Sequence, residues 1–343
     1  MSRTGLRARL LAVASHLPEG TLSNAMLEQE FPDWPAGKIE ELTGIASRHV
    51  AAADEFTSDL AVKAAENLFT ARADLRREDV DFVILITVSP DYLLPFTAAA
   101  VQKRLGLSIN VGALDVTLAC SGFVYGLVLA AGLLESGRAH HVLLLTADRF
   151  TTYTAAGDRS VKALMGDAGT AALLAGVDDA EAALPGRGGL VGAADLGTDG
   201  AGSAHLRIPT SGVKGFLGVE RTERALPTFE MNGPEVFNFT LTRVSQHLKA
   251  FLAKQGLAVG DVSLFVFHQA NLFMLNHLRK RLGIAEDRFA VHIADVGNTS
   301  ASTIPLALQA QLDAGRIVPG SRVVLVGFGV GYSWGSVLLE YPA

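Results

Sequence analysis

Val80-Asp81-Phe82-Val83-Ile84-Leu85-Ile86-Thr87-Val88 and, about 180 residues later, Val262-Ser263 running into Phe265-Val266-Phe267-His268 are the same kind of element written twice. Each is a short apolar run, rich in β-branched or aromatic residues, of the length of a buried strand. The segment after the first ends its helical stretch at Leu105-Gly106-Leu107, and the segment after the second at Leu282-Gly283-Ile284. Asp115-Val116 then matches Asp295-Val296. Gly137-Arg138 before the run His141 to Ala147 matches Gly315-Arg316 before Arg322 to Gly327. Four correspondences in one order at one offset predict a duplicated β-α-β-α-β unit. Sheets of such units are covered by helices on both faces, so two copies pack as a five-layered αβαβα body of the α/β class. The expected halves are residues 1–177 and 178–343. Gly176 to Pro227, rich in Gly, Ala and Asp, reads as the connection plus loops.

The chain has 343 residues, 49% hydrophobic, with 35 glycines and one cysteine, and a formal net charge of −6. That length buries a large core. The acidic balance offers no general attraction to nucleic acid or an anionic membrane. A single cysteine excludes an internal disulfide and fits a reducing compartment. Leu10-Leu11-Ala12-Val13-Ala14 follows three arginines but is too short for a signal peptide, and Met1 to Leu17 reads as a first core strand. No stretch reaches the ~20 apolar residues that cross a bilayer. A cytoplasmic protein is expected.

Ligands of parallel α/β sheets bind beyond the carboxyl ends of strands. Cys120 lies between an apolar strand, Ile109 to Val116, and the apolar helix Phe123 to Leu134. A thiol at a helix start meets unpaired N–H groups and the positive end of the helix dipole, which favour thiolate. Cysteine is also among the most buried residue types, so position alone does not make it a nucleophile. His268 closes the strand Phe265-Val266-Phe267, where histidine is more often structural. Asn298, in Gly297-Asn298-Thr299-Ser300-Ala301-Ser302, reads equally well as a helix cap. Each is weak alone, but each lies just past an expected strand, so the three could share one cleft.

Together with Leu118-Ala119-Cys120-Ser121-Gly122-Phe123, these motifs resemble the thiolase superfamily and, within it, the β-ketoacyl-acyl-carrier-protein synthase III family. Further matches are Thr43-Gly44-Ile45, Thr57 to Ala61, Pro90-Asp91-Tyr92, Asp158-Arg159-Ser160, Gly166-Asp167-Ala168-Gly169 and Tyr332-Ser333-Trp334-Gly335-Ser336. The resemblance implies a homodimer with the five-layered fold and no cofactor or metal. It implies decarboxylative condensation of an acyl starter, from acyl-CoA or an acyl-carrier protein, with malonyl-acyl-carrier protein. Cys120, His268 and Asn298 are the implied catalytic residues, and the backbone N–H groups of Cys120 and Val330 the implied oxyanion hole. Elongating relatives use a second histidine where Asn298 stands, and thiolases need a second cysteine that this chain lacks.

By the same resemblance Leu94, Arg159, Phe328 and Asn271 are expected to bind substrate, and Arg279, Lys280 and Arg281 a carrier protein or phosphates. The family's tryptophan and arginine before Thr-Gly-Ile, which bind the adenine end of coenzyme A, align with Lys38 and Leu42. Phe273 and Asn238 replace a usual arginine and lysine. Leu94 replaces a phenylalanine that caps the partner subunit's acyl pocket. A starter larger than acetyl, delivered on a carrier protein, is the expectation. Phe328-Gly329-Val330-Gly331 departs from the common triple glycine and raises the question of backbone strain at Val330.

Three rivals are weaker. The glycine-rich run Val326 to Gly331 imitates a dinucleotide fingerprint, but twelve residues after it leave no room for the required helix and ribose-binding acid. An acyltransferase passing the acyl group to a non-malonyl acceptor would have no need of an N–H donor at Asn298. A non-catalytic partner subunit would have no need of all three side chains.

Overall fold

The structure is a computed structural model that describes residues 5–217 and 227–343. The first four residues of the Met1 to Leu17 strand and residues 218–226 of the expected connection lie outside the described residues. Nine strands are hydrogen-bonded in series: β1 (Arg7–His16), β2 (Phe82–Ile86), β3 (Gly112–Val116), β4 (His141–Asp148), β5 (Ala168–Val177), β6 (Gly189–Thr198), β7 (Leu264–Phe267), β8 (Arg322–Gly329) and β9 (Ser333–Glu340). Their order is β7-β8-β9-β6-β1-β5-β4-β2-β3.

That order is one sheet repeated. In the first half β2 runs parallel to β3 and β4, and β5 and β1 follow antiparallel. In the second, β7 runs parallel to β8, and β9 and β6 follow antiparallel. A single parallel bridge from Phe265 to Phe289 takes the place of β3. The two sheets meet only where Arg9 pairs with Leu190 and Leu10 with Gly189. We propose residue 177, the end of β5, as the division between the halves.

The helices that matter are α1 (Thr57–Ala71), α2 (Thr97–Arg104), α3 (Gly122–Glu135), α4 (Arg159–Leu164), α5 (Gly233–Phe239), α6 (Ser245–Lys254), α7 (Leu272–Leu282) and α8 (Thr303–Asp313). Successive strand residues face opposite sides of a sheet, so β2 divides its apolar run between two cores. Val83 and Leu85 pack under Leu60, Leu68 and Val101 of α1 and α2. Ile84 and Ile86 face the middle layer, where Phe123 and Leu127 of α3 meet Ile304 and Leu308 of α8. Val266 and Leu325 close that layer from the second sheet. Phe265 and Phe267 turn outward to Leu248, Phe251, Leu275 and Leu278 of α6 and α7. The layers are helix, sheet, helix, sheet, helix, as duplication requires.

Two sequence expectations change. Gly176 to Pro227 is not only connection, because β6 lies within it and forms the edge of the second sheet that joins the first. Its run Gly189-Leu190-Val191-Gly192-Ala193-Ala194 carries few large apolar residues, which hid it; Gly189 and Gly197 are instead covered by the rings of Tyr341 and Trp334. The strand expected from Ile109 starts at Gly112, with Ile109 in an exposed turn.

Thr43-Gly44-Ile45 has a steric reason. Gly44 ends the helix Ala36–Thr43 at φ +71°, and a Cβ there would lie 2.2 Å from Leu272 Cβ, at the start of α7. Gly44→Ala is expected to cost about 2–4 kcal/mol, the left-handed penalty plus overpacking. Gly106→Ala, at φ +65° with nothing within 4 Å, should cost only the first of these, about 1–2 kcal/mol. Urea denaturation of the two variants checks the difference.

Candidate active site

Cys120 lies one residue ahead of Ser121, which precedes α3. His268 follows β7 directly, its N–H bonded to the Val326 carbonyl. Asn298 is held by its backbone between Leu164 and Gly166, at 2.8 and 3.0 Å. The three come from both halves and line one cavity of about 180 Å³ with Phe150, Met165, Phe237, Met274 and Phe328. Its walls are otherwise largely aliphatic and aromatic.

Desolvation works against the thiolate that a helix start favours. Burial pushes the Cys120 thiol up to about 12, and the charge of Asp148 adds to this. The N–H groups of Cys120 itself and of Val330 bond the sulfur and oppose the shift without overcoming it. The first N–H groups of α3 are engaged within the chain: Gly122 donates to Ala119, and Val124 and Tyr125 to Ser121. In an apolar chamber desolvation of the charged form wins.

The segment that brings Val330 to the sulfur is locked on both sides. Ser333 Oγ donates to the Val330 carbonyl at 2.6 Å, so Ser121 Oγ supplies the proton of the 2.7 Å bond between the two serines. A Cβ on Gly329 would stand 2.7 Å from Cys120 Cβ and 2.9 Å from its sulfur. The strain considered for Val330 is absent: among the described residues Ser300, at φ +56°, is the non-glycine residue with positive φ.

His268 is buried, and burial pushes its pKa down to about 3. The ring is neutral, with Phe328 edge-on at 5.4 Å and Nδ1 2.7 Å from Thr303 Oγ1. Asn298 Oδ1 accepts from Ser300 N–H at 3.0 Å, which settles the orientation of the amide. Its Nδ2 reaches the Ala270 carbonyl only at 3.4 Å and keeps a hydrogen for the chamber. Beneath this loop Arg48, fully buried, donates to the carbonyls of Leu22 and Ala163 and to Asn24 Oδ1. Gly297 leaves room for it, since a Cβ there would meet Arg48 Cβ at 2.9 Å.

Of the other expected residues, Phe328 and Asn271 line the chamber. Asn271 also caps α7, accepting from Met274 N–H at 2.8 Å. Leu94 does not line it; it is 83% exposed on the loop after β2, beyond reach of its own chain's cavity. Arg159 is also outside the lining. It pairs with Asp33 at 2.6 Å and lies over the Trp34 ring at 5.3 Å. A tryptophan therefore does stand beside Arg159, upstream of the Lys38 and Leu42 positions; the helix Ala36–Thr43 separates it from Thr43 and hides it from position-by-position matching. Of the basic run on α7, Arg279 is mostly covered and pairs with Glu286 at 3.4 Å, so it is not a free contact. Lys280 and Arg281 are exposed. Ser121, Ser333, Thr303 and Trp34 were not singled out as site residues, because hydroxyls and a tryptophan distant in sequence carry no pattern until the chain is folded.

A duplicated five-layered body with cysteine, histidine and asparagine on one apolar chamber defines a thiolase-fold enzyme of the condensing kind. Residues 114–200 match the family described as 3-oxoacyl-[acyl-carrier-protein (ACP)] synthase III, and residues 252–341 its C-terminal region. Beta-ketoacyl-[acyl-carrier-protein] synthase III 3 of Streptomyces coelicolor is 38% identical over 334 residues, 97% of each chain. A crystal structure of a 3-oxoacyl-(acyl-carrier-protein) synthase III superposes with a TM-score of 0.89 at 41% identity, covering 98% of this chain and 100% of that one. The priming β-ketosynthase of the R1128 polyketide biosynthetic pathway gives 0.85 at 31%, covering 98% and 97%. The chain belongs to the 3-oxoacyl-[acyl-carrier-protein] synthase III family.

Proposed function

We propose that this chain catalyses the decarboxylative Claisen condensation of an acyl starter with a malonyl thioester, malonyl-acyl-carrier protein, through an acyl-Cys120 intermediate. The observation that carries the reading is the meeting of Cys120, His268, Asn298 and the Val330 N–H at one apolar chamber. Cys120 sulfur attacks the starter thioester; the carbonyl oxygen is stabilised by the N–H groups of Cys120 and Val330, and the thiol proton leaves with the departing thiol. In the second half-reaction the malonyl C–C bond breaks, CO₂ departs and its electron pair forms an enolate. His268 and Asn298 donate to the enolate oxygen. The carbanion attacks the acyl-Cys120 carbonyl, the C–S bond breaks, and the expelled thiolate takes up one proton from solvent.

The aliphatic and aromatic walls favour an apolar starter. Trp34 with Arg159 offers a stacking and cationic surface for a coenzyme A donor, and Lys280 with Arg281 a basic edge for an acidic carrier. Tyr92, Leu93 and Leu94, from 69 to 84% exposed, form an apolar loop that fits a second copy of the chain, with Leu94 capping the partner's acyl pocket. No described helix is long and apolar enough to cross a membrane, and a cytoplasmic setting keeps the lone thiol reduced.

Carboxyl-labelled malonyl-carrier protein tests the reading against simple acyl transfer. Over a panel of acyl-CoA and acyl-carrier starters, label should leave as CO₂ in step with product. Product without CO₂ would sink it, and a preference for acetyl-CoA would remove the larger starter.

A further inference from the structure

The N–H groups of Cys120 and Val330 come from opposite halves of the chain, so the width between them depends on how the halves are fastened at that point. Val330 lies in the turn between β8 and β9, and Cys120 in the loop before α3. The two segments are in close contact: a Cβ on Gly327 would stand 2.9 Å from Ser121 Cα, and one on Gly329 2.7 Å from Cys120 Cβ. Ser121 stands at the N-cap of α3, yet its side chain does not cap the helix. Its hydroxyl lies instead 2.7 Å from that of Ser333, across 212 positions of chain, and both serines are buried. Ser333 Oγ is also 2.6 Å from the Val330 carbonyl oxygen. A carbonyl only accepts, so the one proton of Ser333 is committed there and Ser121 donates to Ser333. The bonds close a ring: Cys120 to Ser121 along the backbone, Ser121 hydroxyl to Ser333 hydroxyl, Ser333 hydroxyl to Val330 carbonyl, and Val330 N–H back to the Cys120 sulfur.

We propose that Ser121 and Ser333 are positioning residues, a relay of two hydroxyls that sets the spacing of the Cys120 and Val330 N–H groups for the tetrahedral oxyanion. The inference rests on the acyl-Cys120 intermediate proposed above. Neither serine lines the chamber, so both act through the residues they hold. Ser121 rides on the loop that carries the nucleophile, and Ser333 holds the carbonyl of the residue whose N–H is the second donor. The pairing of β8 with β9 ends at Gly329 and Ser333 and does not include Val330. The Ser333 hydroxyl takes over where that ladder stops. Donors to an oxyanion are effective because they are fixed before charge develops, and a misplacement of about 1 Å can cost on the order of 10²-fold.

Ser333→Ala should slow acyl-Cys120 formation, followed by intact mass with an acyl-CoA that the parent accepts, by about 10- to 100-fold. CO₂ release from malonyl-carrier protein without starter should change less than about threefold, because that step draws on the donors of His268 and Asn298. Ser121→Ala should slow acylation in the same direction. The double variant should be no slower than Ser333→Ala alone, the non-additivity of groups that act in one relay. Alkylation of Cys120 by iodoacetamide at pH 8 should slow by about 3- to 10-fold in both single variants, since the Val330 N–H is no longer held against the charged sulfur. A merely structural role would depress acylation and CO₂ release together. Equal loss in both, additive losses in the double variant, or unchanged acylation in either single variant overturns the proposal. Ser121→Ala decides it if Ser333→Ala does not fold, because it leaves the Val330 carbonyl its partner. A parent that acylates without releasing CO₂ refutes the condensation reading and leaves the acylation comparison intact. A parent with no acyl adduct refutes the intermediate instead, and alkylation then decides the relay: an unchanged rate in both variants overturns it.

Discussion

Cys120→Ala should lose condensation by about 10³-fold or more, because no other thiol, hydroxyl or amine side chain among the described residues lines the chamber to carry the acyl group. Intact-mass spectra with any acyl donor should show no adduct. Decarboxylation of malonyl-carrier protein should persist in the same variant, since His268 and Asn298 are untouched and the two half-reactions use different groups. An acyl adduct on Cys120→Ala would place the nucleophile elsewhere. The parent thiol has its own signature in pH. Its pKa is raised to about 12 by burial, so below that value the thiolate fraction rises tenfold per pH unit. Alkylation by iodoacetamide should therefore climb through pH 7–10 without a plateau, whereas an activated thiolate would level off near neutrality. His268, lowered to about 3, contributes no inflection above pH 5. Asp148, raised by burial to about 6, is the nearby group that titrates in the working range, and its ionisation opposes thiolate formation.

Asn298→Asp exchanges the N–H donor for a second oxygen at nearly constant shape. Ser300 N–H can still hold one oxygen, so the backbone of the loop has no cause to move. What faces the chamber becomes an acceptor where enolate charge builds. Loss of one such donor typically costs about 10²–10³-fold, and a carboxylate adds repulsion to that loss. CO₂ release and condensation should fall together while acyl-Cys120 still forms. A variant that fails to acylate but decarboxylates normally would invert the assignment of the two half-reactions.

Both expectations depend on groups from opposite halves, and the two kinds of information were not equally visible. Val80 to Val88 and its repeat near Val262 carried the architecture, since burial on both faces of a sheet demands a continuous apolar run and leaves it in the chain. Cys120, His268 and Asn298 were legible because each lies inside a recognisable motif, although only His268 directly follows a strand and the chain ahead of Asn298 is irregular. β6 was not, since its close packing is achieved by glycines under Tyr341 and Trp334 instead of by large side chains of its own. Trp34 was not, because a helix intervenes between it and the motif that would have marked its place. The desolvation of the sulfur was not legible for a related reason: dipole and N–H groups can be inferred from position along a helix, but desolvation depends on walls supplied by α4, α5, α7 and β8.

By itself the amino-acid order determined the duplicated α/β body and the three side chains on which the chemistry turns, because periodicity and strand ends are local properties of the chain. Folding alone decided that desolvation raises the pKa of the thiol, that Arg279 is paired with Glu286, that Leu94 stands outside the lining of its own chamber, and that Thr303 reaches the ring of His268. Each of these is set by what lies within a few ångströms in space, across separations of up to hundreds of residues, and no local pattern encodes such a neighbour.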